Sequence, residues 1–204
     1  MTHIGIFGGT FDPIHVGHLI IASEMRWALD LERVLFVPAA RPPHKTHQEV
    51  TSDRHRLAMV QQAIIDNPQF EMNEIELHRA GNSYTADTLE DLAKEYPHKD
   101  FYFLMGEDSL RDLPRWHDPE RIVRMAKIGV AARPGIDVDF AGVHAAIPGS
   151  KGRLQLVETP EIGVSSRDIR DRVCVGKPIR YLVPYHVEEY IVANELYRSC
   201  GPDR

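Results

Sequence analysis

The stretch GIFGGTFDPIHVGHL, residues 5–19, decides the fold. It begins as an apolar run, breaks at Gly8-Gly9-Thr10, passes Pro13, and carries His15 and His18 three residues apart where an amphipathic segment starts. An apolar run that stops at glycines and resumes with helical period reads as a strand feeding a helix. A strand is expected over His3 to Phe7 and a helix from Gly17 to about Leu29.

The rest of the chain repeats that alternation. Arg33 to Pro38 (RVLFVP), Phe70 to Leu77, Phe101 to Gly106, Ala126 to Pro134 and Arg153 to Glu158 read as strands. Helices are expected over Ser52 to Asp66, with Ser52 as cap and Leu57, Val60 and Ile64 on one face, and over Tyr84 to Tyr96. Further helices are expected just after Glu107, in SSRDIRDRV, and in the C-terminal PYHVEEYIVANELY, with Tyr190, Ala193 and Tyr197 facing inward. Residues Ile136 to Gly152 show little period and read as loop. Near-continuous apolar strands alternating with helices imply a parallel sheet covered on both faces. The expectation is therefore one α/β domain spanning 1–204, a doubly wound parallel sheet.

Composition narrows the function. The 204 residues carry a formal net charge of −6, which argues against nucleic acid as a partner. No apolar run is long enough to cross a membrane, and the N-terminus has no basic segment followed by an apolar one. Cys174 and Cys200 are the only cysteines. A disulfide or thiolate zinc site is not expected, and a cytoplasmic setting fits.

In a doubly wound sheet, ligands sit beyond the carboxyl ends of the strands. Gly8 and Gly9 there let backbone amides approach a ligand. The following helix start favours an anion. His15 and His18 can face one side of its first turn, with Gly17 keeping the approach open, and donate to phosphate oxygens. A plain turn with two surface histidines is the bland alternative. Zinc is the other, but a structural site wants four ligands and no third is evident.

GGTFDPIHVGH resembles the H-x-G-H motif of the nucleotidylyltransferase superfamily, which implies a Rossmann-like fold. PPHK (42–45), SYTADTLEDL (83–92), FLMGEDSL (103–110), LPRWHD (113–118), VAARPG (130–135), VSSRDIR (164–170) and YLVPYHVEEYI (181–191) are similar to the bacterial nicotinate mononucleotide adenylyltransferases. The resemblance implies a transferase of NAD biosynthesis taking ATP and nicotinate mononucleotide, with Mg²⁺ carried in on ATP and no protein metal site.

It also implies roles. Gly8, Gly9, Thr10, Phe11, His15, His18, Gly106, Ser165, Ser166 and Arg170 would hold ATP, with His15, His18 and Arg170 catalytic. Ser165 and Ser166 suit a helix cap, and Arg170 can present a planar fork to phosphates. His44, Lys45, Tyr84, Thr85, Asp108, Trp116 and Arg133 would contact the mononucleotide. Thr85 is expected to cap its helix and, with Tyr84, to read the nicotinate carboxylate; no arginine adjoins Ser83–Thr85 in sequence. Trp116 would stack on the pyridine ring. Arg167 and Glu107 depart from the family pattern. A sibling transferase acting on phosphopantetheine or glycerol phosphate, or a silent nucleotide-binding regulator, are the alternatives. Monomer and homodimer are both compatible.

Overall fold

The computed structural model describes residues 2–40, 50–79, 81, 83–132, 135 and 138–199. Among the described residues six parallel strands form one sheet: β1 (His3–Gly9), β2 (Leu31–Pro38), β3 (Phe70–Met72), β4 (Asp100–Gly106), β5 (Ala126–Ala132) and β6 (Leu154–Glu158). Their order is β3-β2-β1-β4-β5-β6, the doubly wound arrangement expected from the alternating pattern.

Alternation within the central strands builds two cores. Ile4 and Ile6 of β1, Leu35 and Val37 of β2, and Phe101, Phe103 and Met105 of β4 face one side. There they meet α3 (Thr85–Glu95), α4 (Glu107–Asp112), α5 (Pro119–Met125) and α6 (Phe140–Ala146). Phe7, Val34, Phe36, Tyr102 and Leu104 face the other side, against α1 (Val16–Ala28), α2 (Asp53–Ile64), α7 (Ser166–Cys174) and α8 (Tyr185–Ala193). Side chains at i and i+2 share a face, so a strand of continuous apolar residues feeds both cores. On α3 the inward stripe is Ala86, Leu89 and Leu92; truncating either leucine to alanine costs ~2–5 kcal/mol.

Several local expectations are corrected. The strand begun at Phe70 ends at Met72, because Asn73 and Glu74 turn the chain: Oδ1 of Asn73 accepts from the Ile75 amide at 2.9 Å and Glu74 carbonyl from Leu77. The stretch after Ile136 is not all loop. Asp139 caps α6, its Oδ1 accepting from the Gly142 amide at 2.8 Å. A glycine at the third helical position hid that helix from a propensity reading. In the C-terminal helix the buried residues are Val187 and Ile191; Tyr190 is half-buried and Ala193 exposed, while Tyr197 is buried but lies beyond the helix. On α2, Val60 and Ile64 are buried as expected, Leu57 only half, and Arg56 and Met59 complete the inward face.

Cys174 is disulfide-bonded, against the expectation of free thiols. Cys200, the only other cysteine in the sequence, lies outside the described residues. Spacing along a chain does not forbid a bridge, which depends on the fold bringing two Cα atoms within about 7 Å.

Candidate active site

The strand order reverses between β1 and β4, and a crevice opens at such a point beyond the strand ends. Gly8 and Gly9 end β1 and Gly106 ends β4. The turn 10–15 leads from β1 into α1, with His15 as N-cap and His18 as the third helical residue.

The two imidazoles stack, with ring centroids 3.7 Å apart and planes inclined by 28°. The backbone N–H of His15 donates to Nδ1 of His18 at 3.2 Å, so the neutral His18 ring carries its proton on Nε2. Burial pushes His15 down to about 4. Burial, and then the neighbouring His15, push His18 to about 3. Both rings are therefore neutral at pH 7. In the ligand-free fold each can donate one hydrogen bond without carrying charge. Nδ1 of His15 is buried and has no hydrogen-bond partner among the described residues, a group that a bound ligand can satisfy.

Two glycines make room for the rings around the histidine pair. A Cβ on Gly9 would meet the ring of Phe11 at 2.9 Å. Phe11 is itself buried, with backbone φ of +50°, and sets its ring edge against His18 at 5.2 Å and Phe7 at 5.9 Å. Its side chain supports His18 from the core, so a contact to nucleotide would come from its backbone N–H. A Cβ on Gly17 would come within 3.1 Å of His15 Nδ1; the glycine there makes room for the imidazole.

The turn is tied to the protein by its carbonyls. Arg170 Nη1 donates to Asp12 O at 2.7 Å and Ser166 Oγ to Pro13 O at 2.8 Å. Ser165 Oγ caps α7 by accepting from the Asp168 amide at 3.0 Å. So the turn bearing His15 and His18 and the start of α7 bearing Ser165, Ser166 and Arg170 come together as expected, although the two motifs stand far apart in sequence. Arg167 points away from burial and is exposed.

Beside Gly8, Gly9 and Thr10 lies a cleft of about 650 Å³, walled by Val37, Ala39, Glu76, Tyr84, Thr85, Phe103, Ser109, Arg115, Trp116 and His117. Trp116 is half-buried, edge-on to Phe103 at 5.9 Å. Tyr84 and His117 rings lie 4.3 Å apart. The segment bearing Trp116 and His117 is clamped to α3 by Arg121, which pairs with Asp87, with Glu90 at 3.1 Å and with Asp118 at 3.2 Å.

Tyr84, not Thr85, is the N-cap of α3, and it makes no side-chain cap bond; Thr85 is the first helical residue. The reason is that the carbonyl of Tyr84 already accepts from the Asp87 and Thr88 amides. Asp108 is not brought into the cleft: it is 88% exposed and faces Arg111 at 3.4 Å, because the first turn of α4 points it outward while Ser109 faces in. Gly106 is exposed, with nothing near the space a Cβ would fill. His44, Lys45 and Arg133 lie outside the described residues. Sequence reading missed Arg115, Glu76, Phe103, Ser109 and His117 in the cleft. Arg115 and His117 flank Trp116 in LPRWHD, and that adjacency was the available signal. Glu76 is buried and its Oε1 accepts from Thr88 Oγ1 at 2.8 Å; burial raises its carboxyl above the usual range.

Residues 6–172 match the cytidylyltransferase-like family. The chain belongs to that family. Its relatives include the probable nicotinate-nucleotide adenylyltransferase of Thermomicrobium roseum, 51% identical over 98% of this chain and 93% of that one. Another, of the same description, is that of Roseiflexus sp. strain RS-1, 47% identical over 96% and 98%. Among solved structures, the nicotinic acid mononucleotide adenylyltransferase of Plasmodium falciparum complexed with NaAD superposes with a TM-score of 0.78, over 97% of this chain and 98% of that one, at 21% identity. The resemblance read from the motifs and the Rossmann-like fold are borne out. Family membership makes the chain a nucleotidyltransferase.

Among the described residues no three His, Cys, Asp or Glu side chains group as metal ligands, and no helix is long and apolar enough to cross a membrane. The Asp12 carboxylate beside the histidines is already engaged, by Tyr197 O–H at 2.7 Å and the Thr51 amide at 3.2 Å.

Proposed function

We propose that the chain transfers the adenylyl group of ATP to nicotinate mononucleotide, giving deamido-NAD and pyrophosphate. The observation that carries this reading is the meeting, along Gly8–Thr10, of a neutral histidine pair and an aromatic-lined cleft that ends at a helix start. The activity for which the relatives are named supports the same choice.

An oxygen of the mononucleotide 5′-phosphate attacks the α-phosphorus of ATP in line. A P–O bond forms there as the bond to the β-phosphate bridge breaks, and pyrophosphate leaves with the electron pair. A phosphate monoester is already anionic at neutral pH, so no strong base is needed, and no covalent enzyme intermediate forms. Catalysis is positioning and charge stabilisation. His18 donates from Nε2 to phosphate oxygens, and His15 joins it. Neutral donors avoid burying two cations side by side when the site is empty. Arg170 spends one donor on Asp12 and keeps others for the leaving pyrophosphate. Mg²⁺ carried in on the triphosphate would neutralise charge on its oxygens, and the Asp12 carboxylate of the histidine turn is held by Tyr197 and Thr51.

The mononucleotide lies in the cleft. Trp116 offers an apolar face to the pyridine ring, and the Thr85 and Ala86 amides, which have no intrahelical acceptor, face its carboxylate. The test is pyrophosphate release from ATP with nicotinate mononucleotide, nicotinamide mononucleotide, phosphopantetheine and glycerol phosphate side by side. Turnover with the first and not the last two is expected; turnover only with one of the last two overturns the reading.

A further inference from the structure

Arg56 on α2 is fully buried, at 0% exposure, and no step above uses it. A buried charge is costly unless it is paired and hydrogen-bonded. Each of its three nitrogens finds a different acceptor. Nε donates to Thr51 O at 3.1 Å, Nη1 to Thr10 O at 2.7 Å, and Nη2 to Asp53 Oδ1 at 2.5 Å. Only the Thr10 carbonyl belongs to the turn that bears the histidines. The peptide it begins leads into Phe11, whose φ of +50° is unfavourable for a residue with a side chain. Such a conformation persists only where its surroundings hold it. Donation to the Thr10 carbonyl also polarises that peptide and strengthens its N–H as a donor.

The hold continues along the turn. Thr51, whose carbonyl Arg56 fixes, gives its own amide to Asp12 Oδ2, and the buried Tyr197 gives its O–H to Asp12 Oδ1. Arg170 and Ser166 restrain the Asp12 and Pro13 carbonyls. The carbonyls of residues 10, 12 and 13 are thus all drawn into the protein, three acceptors that would otherwise be free to face nucleotide phosphates.

We propose that Arg56, with Tyr197, is a positioning residue for adenylyl transfer: its guanidinium fixes the Thr10–Phe11 peptide and so the placement of His18. This rests on the functional reading above. The geometry asks for a fork. A lysine ammonium keeps the charge but cannot reach three acceptors set around a planar group.

The test is a double-mutant cycle on the full chain, reading pyrophosphate release with ATP and nicotinate mononucleotide. Arg56→Lys should lower kcat by about 10- to 100-fold, the scale of a small misplacement. KM for ATP should stay within about threefold. In a His18→Ala background the same substitution should cost less than about threefold in kcat, because the group it positions is gone. A change that merely loosened the fold would cost the same in both backgrounds, and that result overturns the proposal, as does a parent-like kcat in Arg56→Lys. If Arg56→Lys does not fold, Tyr197→Phe enters the same cycle, with a kcat loss of about three- to tenfold expected on removal of one buried hydrogen bond; a parent-like kcat there overturns it too. A parent enzyme that makes no pyrophosphate would sink the functional reading instead, so the two failures are distinct.

Discussion

Two helix starts face the site, and they are used in opposite ways. At α7 the hydroxyls of Ser165 and Ser166 and the guanidinium of Arg170 are engaged with their own protein: a cap on Asp168, and bonds to Pro13 and Asp12. At α3 the cap residue Tyr84 makes no side-chain cap bond, and the hydroxyl of Thr88 turns away to Glu76. In sequence the two look alike, Ser-Ser before one helix and Ser-Tyr-Thr before the other. The difference lies in what stands before them. In front of α7 is the turn 10–15, which needs its carbonyls restrained. In front of α3 is the cleft. One helix start holds the turn that bears the histidines, and the other opens on the cleft.

The largest expected effect lies at the phosphate end. His18→Ala removes the preorganised Nε2 donor, and kcat should fall by about 100- to 1,000-fold. Nucleotide binding should change far less. A kcat near the parent value would mean that the stacked pair is packing and that the comparison of the two ends is misdrawn.

Arg170→Lys comes next. It keeps the charge but loses the fork that reaches both Asp12 and phosphate. A fall of about 10- to 100-fold in kcat/KM for ATP is expected from a lost charge-assisted bond of ~1.5–3 kcal/mol. Unchanged steady-state kinetics would leave α7 a purely structural element.

The third effect is on stability. His15 and His18 are held to about 4 and about 3 in the fold, against about 6.5 for a free histidine. Below pH 6.5 the unfolded chain therefore binds more protons than the native one, and stability falls as pH falls. Between pH 6.5 and 5 the two groups together should cost about 3 kcal/mol. Urea unfolding of the parent against His15→Asn/His18→Asn should show a shallower acid slope in the variant. Equal slopes would mean that the rings titrate normally.

The parallel sheet was legible because β1, β2, β4 and β5 carry apolar runs that end at glycine or just before or at proline, and the histidine turn because Gly8-Gly9 and His-x-Gly-His stand in one short stretch. What failed was of another kind. Arg56 sits in DRHRLAM, where an arginine on a helix reads as solvent-facing; nothing local says that Thr10, 46 residues earlier, needs its guanidinium. Phe11 stands in the glycine turn, and nothing local says that a left-handed φ turns its ring into the core. Arg115 reads as a loop cation, and only the fold, with Arg121 clamping its segment to α3, brings it to the wall of the cleft that Thr85 also lines. Local pattern specified elements; long-range hydrogen bonds assigned the side chains.

The smallest expected effect bears most directly on α3. Proline is well accepted at the first helical position, which Thr85 occupies, and Tyr84 before it already has φ −103° and ψ 137°, the region that a residue preceding proline prefers. Thr85→Pro therefore removes one amide N–H and one hydroxyl without breaking the helix. If the carboxylate of nicotinate docks there, kcat/KM for nicotinate mononucleotide should drop by about tenfold, the scale of one lost bond to a charged group. Nicotinamide mononucleotide should lose far less, so the parent's preference for the acid, expected at about 30- to 10,000-fold from two donor–donor mismatches, should shrink. Thr85→Val separates hydroxyl from amide, and Trp116→Ala should weaken both substrates alike, since stacking does not distinguish acid from amide. Arg115→Met is the decisive control, because Arg115 lines the same cleft. If it collapses the preference while Thr85→Pro leaves it intact, the carboxylate is read by a cation and the α3 start is an ordinary helix end; if the preference follows Thr85→Pro, the open helix start is the reader.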